Sequence, residues 1–269
     1  MNQRFSCDFW ANRDWRSGDA GKHAGGFDWL SRLSDLNTFT PAGYSEPALP
    51  AAGRRDSAGR PICVYEPHGY EQNYAYPLIV WLHGEGGNER DLLRVMPMIS
   101  EQNYLGISFR GTSPARGVMT GAYRWSQAAE DAADFETVLF ETVRDLRRDH
   151  HVHSERVFVA GFDDGAVMAL QLMLRRPEWF GGAICLAGRF STSQHALARF
   201  RDLRKKRVLI AAGSGDRISP PRHAIDTGRL LHAAGMNVST RVVDAEHEVT
   251  PTMLRQIDNW VMDGICTAV

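Results

Sequence analysis

The chain has 269 residues, of which 43% are hydrophobic and 23% are charged, and its formal net charge is −1. This composition is typical of a globular protein, and the length allows one large α/β domain or two small ones. The near-neutral charge gives no electrostatic reason to expect binding to nucleic acid or to an anionic membrane. None of the four cysteines, Cys7, Cys63, Cys185 and Cys266, lies in a CxxC pair, so neither a metal cluster nor a disulfide scaffold is expected.

No segment of the sequence predicts export or insertion into a membrane. The first residues, MNQRFSCDFWANRDW, lack the apolar core of a signal peptide, and no apolar run approaches the length of a transmembrane helix. No set of potential ligands has metal-site spacing. We therefore expect a soluble, cytoplasmic protein without a membrane span, a metal or another cofactor. A homo-oligomer is compatible with the sequence.

Residues 1–58 differ in composition from the rest of the chain and predict an N-terminal extension. They are rich in Gly, Ser, Asp, Arg and Pro, and the segment Pro41–Arg60 indicates a linker or a surface loop. The helical spacing of apolar residues predicts a short helix within Phe27–Leu36. The extension would either pack on the surface of the domain formed by residues 59–269 or cover its site as a lid.

From residue 61 onward, predicted strands alternate with predicted helices. The predicted strands are Ile62–Tyr65, Tyr76–Leu82, Tyr104–Phe109, Arg156–Ala160, Gly182–Leu186, Arg207–Ala211 and Val238–Val243. The predicted helices are Asp131–Arg148, Ala166–Leu174, His223–Ala234 and Thr252–Met262. The run YPLIVWL at Tyr76–Leu82 is continuously apolar, as expected for a strand that is covered on both faces. The alternation predicts an α/β fold with a mostly parallel central sheet and helices on both faces.

A glycine-flanked turn, Gly161-Phe162-Asp163-Asp164-Gly165, joins one predicted strand to the helix after it. Such a sharp turn leaves no room for side chains at its flanks, which explains the glycines. In a nucleophile elbow the middle residue carries the reactive atom, and here that residue is Asp163. Asp163 would also serve as an ordinary N-cap of the helix, because aspartate is favoured at helix N-termini.

Three other segments carry residues that are suited to acyl-transfer chemistry. The loop His83–Gly87 (HGEGG) follows the apolar strand, the loop Gly213–Pro220 contains Asp216, and the segment Glu246–Pro251 contains His247. Histidine transfers protons near neutral pH, and a neighbouring aspartate can orient its ring. Each segment also has an ordinary interpretation: a glycine-rich turn, an aspartate in a Gly/Ser turn, or a surface histidine.

With these motifs, the chain from Pro61 to its C-terminus resembles the α/β-hydrolases. It is most similar to the phospholipase/carboxylesterase group and to related esterases and polyester-depolymerase-like proteins. The segments Glu66–Tyr70 and Gly121–Trp125 also resemble segments of that group. The resemblance implies an α/β-hydrolase fold and a small ester-like ligand. The interval Gly188–Arg207 is too short to hold a helical cap, so we expect no large cap domain.

The resemblance also implies a role for each motif. Asp163, Asp216 and His247 occur in the order of nucleophile, acid and base. The backbone N–H groups of Glu85 and Asp164 would form the oxyanion hole. The residues expected to line the pocket are His83, Gly84, Gly86, Tyr123 and Trp125.

Aspartate at the nucleophile position leaves the function open. Attack by a carboxylate on an ester would give a mixed anhydride, so one hypothesis is an esterase-like protein with weak or no ester hydrolysis. In that case the Asp163 carboxylate would occupy the oxyanion hole and pair with His247. A second hypothesis resembles haloalkane dehalogenases and epoxide hydrolases, in which Asp163 attacks carbon and His247 activates water. A third is an unusual catalytic route or an aspartate introduced to remove activity.

Overall fold

The computed structural model describes residues 54–115, 121–190 and 200–266. The chain forms two compact units, one of Met1–Leu49 with Met262–Val269 and one of Pro50–Val261. The central sheet and the candidate site belong to the second unit. The predicted helix at Phe27–Leu36 lies outside the described residues, and the division of the chain at residue 58 stays a prediction.

Parallel pairing dominates the central sheet. Its strands are β1 (Ile62–Tyr65), β2 (Tyr76–Leu82), β3 (Leu105–Phe109), β6 (Val152–Phe162), β7 (Gly182–Leu186), β8 (Arg207–Gly213) and β9 (Asn237–Val243). Among the described residues they stand in the order β1-β3-β2-β6-β7-β8-β9, with β1 antiparallel to β3 and each other neighbouring pair parallel. The mostly parallel sheet predicted from the sequence is therefore confirmed. Two short strands, β4 (Ser113–Pro114) and β5 (Tyr123–Arg124), form a separate two-stranded sheet.

Helices connect the strands and bury their apolar faces. The α-helices of the described segments are α1 (Leu92–Ile99), α2 (Ala129–Asp149), α3 (Asp164–Arg175), α4 (Phe200–Leu203), α5 (Pro221–Ala233) and α6 (Pro251–Cys266). All residues of β2 are buried, as the continuous apolar run predicts for a strand covered on both faces. The helix α3 packs against β6 and β7, and α5 packs against β8 and β9.

The amphipathic pattern of α2 corresponds to its buried face. The side chains of Phe135, Leu139, Val143 and Leu146 recur at helical spacing and are each at most 4% exposed. They pack into the same apolar core as alternate residues of β2, which explains why this long helix is stable in spite of its many charged residues. Burial of each such side chain contributes roughly 1.5–3 kcal/mol to folding.

Some elements differ from those that the sequence predicts. The helix α1 was not predicted; it contains Pro97, which weakens a helical pattern because proline cannot donate a backbone hydrogen bond. The strand β6 begins at Val152, earlier than the predicted Arg156, because Val152 pairs with Tyr76 although the residues that follow it are polar and partly exposed.

The end of the predicted linker is folded. Asp56 is 6% exposed, and its carboxylate accepts hydrogen bonds from the backbone N–H groups of Ala58 and Arg60 and from the Arg60 side chain. A β-bridge between Arg55 and Pro61 closes the turn. This part of the Pro41–Arg60 segment is thus a hydrogen-bonded turn that leads into β1.

The parallel strands bring the predicted motifs to one edge of the sheet. β2 ends at Leu82, immediately before the HGEGG loop, and β6 ends at Phe162, immediately before Asp163. β8 and β9 end at Gly213 and Val243, shortly before Asp216 and His247. Because the carboxyl ends of parallel strands lie at the same edge, segments that are far apart in sequence meet there.

Close backbone packing fixes the turn between β6 and α3. A Cβ atom placed on Gly165 would lie 2.3 Å from the carbonyl oxygens of Leu82 and His83. A Cβ atom on Gly161 would lie 2.4 Å from the backbone of Gly165. Both distances are shorter than any van der Waals contact, so the turn requires glycine at both flanks, as its sequence predicts.

We expect Gly165→Ala to destabilise the protein by about 3 kcal/mol or more, because the clash involves backbone atoms that cannot move aside. The matched control is Gly215→Ala, whose Cβ would have its nearest contact at 3.4 Å. We expect the control to change the free energy of unfolding by less than about 1 kcal/mol. Urea unfolding of the two variants measures both effects, and equal losses would contradict the packing argument.

Candidate active site

The backbone of Asp163 has the strained conformation of a sharp strand-to-helix turn. Its φ is 52° and its ψ is −120°, values that residues other than glycine rarely adopt. Such a conformation costs about 1–3 kcal/mol, and the surrounding hydrogen bonds must maintain it. Its N–H donates to the Leu186 carbonyl at 2.9 Å, and its carbonyl accepts from the Ala166 N–H at 3.1 Å. The side chain makes no capping hydrogen bond to α3, so the simple N-cap interpretation does not describe it.

The Asp163 carboxylate lies against the predicted oxyanion donors. Its Oδ2 accepts a hydrogen bond from the Glu85 N–H at 3.4 Å, and its Oδ1 lies 3.6 Å from His247 Nε2. Burial raises the pKa of Asp163, but His247 and the N–H groups of Glu85 and Asp164 outweigh burial and hold the pKa below its ordinary value. The ionised carboxylate is therefore favoured, and it lies beside the N–H groups that the sequence predicts as oxyanion donors.

His247 is held by a second carboxylate. Its Nδ1 lies 2.8 Å from Asp216 Oδ2, and the other carboxylate oxygen accepts the N–H groups of Ile218 at 2.9 Å and Ser219 at 2.7 Å. The Phe162 ring packs against the imidazole with the ring centroids 4.9 Å apart. Asp216 is 3% exposed, so its orientation and that of the imidazole are fixed from the interior of the protein.

The charge state of His247 follows from these partners. Burial lowers the pKa of His247, but hydrogen bonds and charges from Asp163 and Asp216 outweigh burial and raise it above its ordinary value. The ring is thus favoured as an imidazolium between two carboxylates. An imidazolium has no lone pair with which to accept a proton, so it cannot act as a general base in this state.

Asp164 is a second buried carboxylate in the elbow. It is 8% exposed; its Oδ2 accepts the Trp125 N–H at 2.7 Å, and its Oδ1 is buried without a hydrogen-bond partner among the described residues. Burial raises the pKa of Asp164 to about 7, the Trp125 hydrogen bond opposes the rise, and the charges of Asp163 and Glu85 add to it.

His83 and Trp125 form hydrogen bonds that hold the HGEGG loop from the interior of the protein. The His83 Nδ1–H donates to the Gly84 carbonyl at 2.8 Å, and the Nε2 atom accepts the Gly111 N–H at 3.0 Å. The Trp125 indole donates to the His83 carbonyl at 2.9 Å. Burial lowers the pKa of His83, which keeps the ring neutral. Each residue is 1% exposed, so both lie in the interior behind the loop, and their role as pocket lining stays a prediction.

Backbone hydrogen bonds with Tyr123 also hold the HGEGG loop in place. The Gly86 N–H donates to the Tyr123 carbonyl, and the Tyr123 N–H donates to the Gly87 carbonyl, both at 2.9 Å. Arg110 reaches the Tyr123 hydroxyl at 3.3 Å and forms two hydrogen bonds with the buried Glu89. These contacts attach the loop to β5 and to the end of β3 and leave the Glu85 N–H facing Asp163.

The glycines of the loop have different roles. A Cβ atom on Gly84 would lie 2.6 Å from the Phe162 ring and 3.3 Å from the Asp163 Cβ, so this glycine allows the loop to approach the elbow. Gly86 has a φ of +85° and no atom within 4 Å of a Cβ position, so it is needed for its backbone conformation.

Sequence reasoning missed several residues that shape the site. It assigned no role to Phe162 beside the imidazole, to the N–H groups that bind Asp216, or to the Glu89–Arg110 pair. Phe162 could have been suggested by its place next to Asp163. The other contacts depend on loop geometry and side-chain direction, which have no pattern in the sequence.

Residues 70–263 match the family model described as Phospholipase/Carboxylesterase. The chain belongs to this family. A protein of Bacillus subtilis (strain 168) named "Putative hydrolase MhqD" is 25% identical over 206 residues, which are 74% of this chain and 98% of that protein. The structure is similar to the Bacillus cereus carboxylesterase, with a TM-score of 0.62, 22% identity and coverage of 77% and 96% of the two chains. It is also similar to a carboxylesterase from Mesorhizobium loti, with a TM-score of 0.58, 20% identity and coverage of 68% and 87%.

These similarities confirm the α/β-hydrolase fold that the resemblance implied. The family is one of esterase-like hydrolases, and the described part of the chain contains no large cap domain. None of the described helices is long and apolar enough to span a membrane. Among the described residues, no cluster of three or more His, Cys, Asp or Glu side chains could bind a metal ion. The cytoplasmic location, the ester-like ligand and the homo-oligomer remain predictions.

The raised pKa of Asp164 predicts that stability falls with increasing pH. Between pH 3.8 and about 7 the folded state retains a proton on Asp164 that the unfolded chain releases, so the contribution of Asp164 to the free energy of unfolding decreases across this range. Asp164→Asn does not titrate and keeps the acceptor for the Trp125 N–H. We expect the stability of this variant relative to the unmodified protein to increase by on the order of 3 kcal/mol from pH 4 to pH 8. Urea unfolding at several pH values measures it, and a difference independent of pH would contradict the assignment.

Proposed function

We propose that this chain is an esterase-like α/β-hydrolase that binds a small ester-like ligand with weak or no ester hydrolysis. One observation above all supports the proposal: the Asp163 carboxylate accepts the Glu85 N–H and faces His247. In a working esterase these N–H groups stabilise the charge that develops on the substrate oxygen. Here an oxygen of the protein itself uses them.

The protonation states give a second reason. A serine esterase needs a neutral His247 to accept the proton of the attacking hydroxyl group, after which the protonated ring donates it to the leaving alkoxide. Asp163 has no proton to give and favours the imidazolium. A protonated ring pairs with the anionic carboxylate, and in this state neither group is available for acyl transfer. Loss of a serine nucleophile costs on the order of a million-fold in rate in a well-studied protease.

Asp163 replaces the serine that the family resemblance leads us to expect, which makes the proposal testable by a single substitution. Asp163→Ser removes the charge that raises the pKa of His247 and supplies the missing hydroxyl group. We expect this variant to hydrolyse short p-nitrophenyl esters with a kcat/KM at least about 100-fold above that of the unmodified chain. The measurement is the release of p-nitrophenol.

The matched control is Asp163→Asn, which removes the same charge but supplies no nucleophile. We expect it to be as inactive as the unmodified chain. Rapid ester turnover by the unmodified chain would contradict the proposal, and so would equal activity of the Ser and Asn variants.

A second function is favoured by the ionisation of Asp163 and its access to solvent. The side chain is 16% exposed, and its pKa is below the ordinary value, so it could attack without help from a base. In this alternative a bond forms between an Asp163 oxygen and a substrate carbon. A halide ion leaves, or one C–O bond of an epoxide breaks and its oxygen takes up a proton from water. Water deprotonated by His247 then attacks the carbonyl carbon of the new ester, which releases the alcohol and restores Asp163.

This alternative predicts a covalent intermediate that accumulates when the second step is blocked. In a His247→Gln variant, incubation with a terminal epoxide should increase the intact mass of the chain by the mass of the epoxide. Adding Asp163→Asn to this variant should abolish the increase, since the attacking carboxylate is gone. If a broad panel of epoxides and haloalkanes gives no Asp163-dependent adduct, the carboxylate is not a nucleophile.

A further inference from the structure

The proposed function does not use Asp164, the second aspartate of the elbow. Its Oδ2 accepts the Trp125 N–H at 2.7 Å, whereas its Oδ1 has no hydrogen-bond partner in the described part of the chain. The residue is only 8% exposed. A buried carboxylate that leaves one oxygen unpaired is poorly compensated, so its negative charge acts strongly on its surroundings.

The backbone N–H groups of Trp125 and Gly165 lower the pKa of Asp164, but they do not outweigh its burial. The carboxylates of Asp163 and Glu85 both raise its pKa. His247 already lies between the carboxylates of Asp163 and Asp216, and the buried His83 is neutral. Arg110 is occupied by its two hydrogen bonds with Glu89. Within the part of the chain that the structure describes, the negative charge of Asp164 thus has no dedicated cation.

The position of Asp164 makes the charge of its carboxylate relevant to ligand binding. The backbone N–H of Asp164 is one of the two expected oxyanion donors, and its side chain belongs to the same residue. A chain of hydrogen bonds also connects the Asp164 side chain to the other donor. Its carboxylate accepts the Trp125 backbone N–H, and the Trp125 indole N–H donates to the His83 carbonyl. The His83 ring then donates to the Gly84 carbonyl. That carbonyl belongs to the peptide group whose N–H is that of Glu85. The Asp164 carboxylate is therefore part of the hydrogen-bond network that supports the predicted oxyanion hole.

We propose that Asp164 sets the charge selectivity of this site toward ligands, so that its carboxylate weakens the binding of carboxylates and tetrahedral anions relative to uncharged or cationic ligands. The Asp163 carboxylate is tolerated beside it because His247 pairs with Asp163. The inference rests on the proposed function, in which the hole no longer stabilises an oxyanion. Asp164 acts through its charge on the hole and need not touch the ligand. Serine at position 163 is consequently not sufficient for full activity.

The informative substitution is Asp164→Asn in the Asp163→Ser background. Asparagine has the shape of aspartate and still offers an oxygen to the Trp125 N–H, but it carries no charge. At pH 8 we expect kcat/KM for p-nitrophenyl acetate to be about 10- to 100-fold higher for the double variant than for Asp163→Ser alone, because a buried like charge raises the energy of the developing oxyanion.

The gain should appear in kcat and not in KM, because the ground-state ester is uncharged and only the transition state bears the oxyanion. A merely structural role of Asp164 would not separate the two constants in this way. Phenylboronic acid is an independent probe, since it adds to the serine oxygen as a tetrahedral anion. We expect its affinity to rise by a similar factor in the double variant.

A matched control is Asp258→Asn in the same Asp163→Ser background. Asp258 is a partly buried carboxylate that also has a raised pKa. It accepts hydrogen bonds from the Tyr104 hydroxyl at 2.7 Å and from Asn103, which lie before β3 at the opposite edge of the sheet. We expect this control to change neither kcat/KM nor the affinity for phenylboronic acid.

Equal kcat/KM and equal phenylboronic acid affinity for the Asp163→Ser and double variants would overturn the inference. The same gain with Asp258→Asn would also overturn it. If neither variant hydrolyses esters but the double variant binds phenylboronic acid more tightly, the expected recovery of esterase activity fails while the charge selectivity of Asp164 stands. The two proposals can therefore fail separately.

Discussion

The close approach of the β6–α3 turn to the end of β2 is the constraint on which the site depends. Gly165 lies so near the carbonyl groups of Leu82 and His83 that the turn has only one way to pack. That packing holds Asp163 at a positive φ and aims its side chain at the HGEGG loop. The parallel sheet then supplies the remaining partners, because β8 and β9 end at the same edge. Local backbone geometry and sheet topology together bring the residues of the candidate site into contact.

Electrostatic compensation explains why an aspartate is tolerated at this strained and half-buried position. The Asp163 carboxylate receives N–H groups on one side and an imidazolium on the other, and Asp216 supports that imidazolium through two backbone hydrogen bonds of its own. The arrangement that stabilises a transient oxyanion in an esterase here stabilises a permanent anion. Asp164 is the exception, because it has burial without matching partners.

The sequence predicted the structural elements and site residues that have a strong pattern of residue types. The bounds of β1, β2 and β7 match the structure because short apolar runs define them. The helix α1 was missed because of Pro97, and β4 and β5 because two-residue strands have no periodicity. Asp163, Asp216 and His247 were expected together and lie together. The buried positions of His83 and Trp125 could not be predicted, since a polar atom hidden by backbone partners looks the same in sequence as one that lines a pocket.

The imidazolium between Asp163 and Asp216 links ligand occupancy to proton exchange. A ligand that takes the Glu85 N–H must displace the Asp163 carboxylate, and the carboxylate is then free to move away from His247. The ring would lose one of the two charges that hold its proton and would release that proton more readily. Ligand binding and proton release from His247 are therefore coupled. The occupied fraction of the site will depend on pH even when the ligand itself does not titrate.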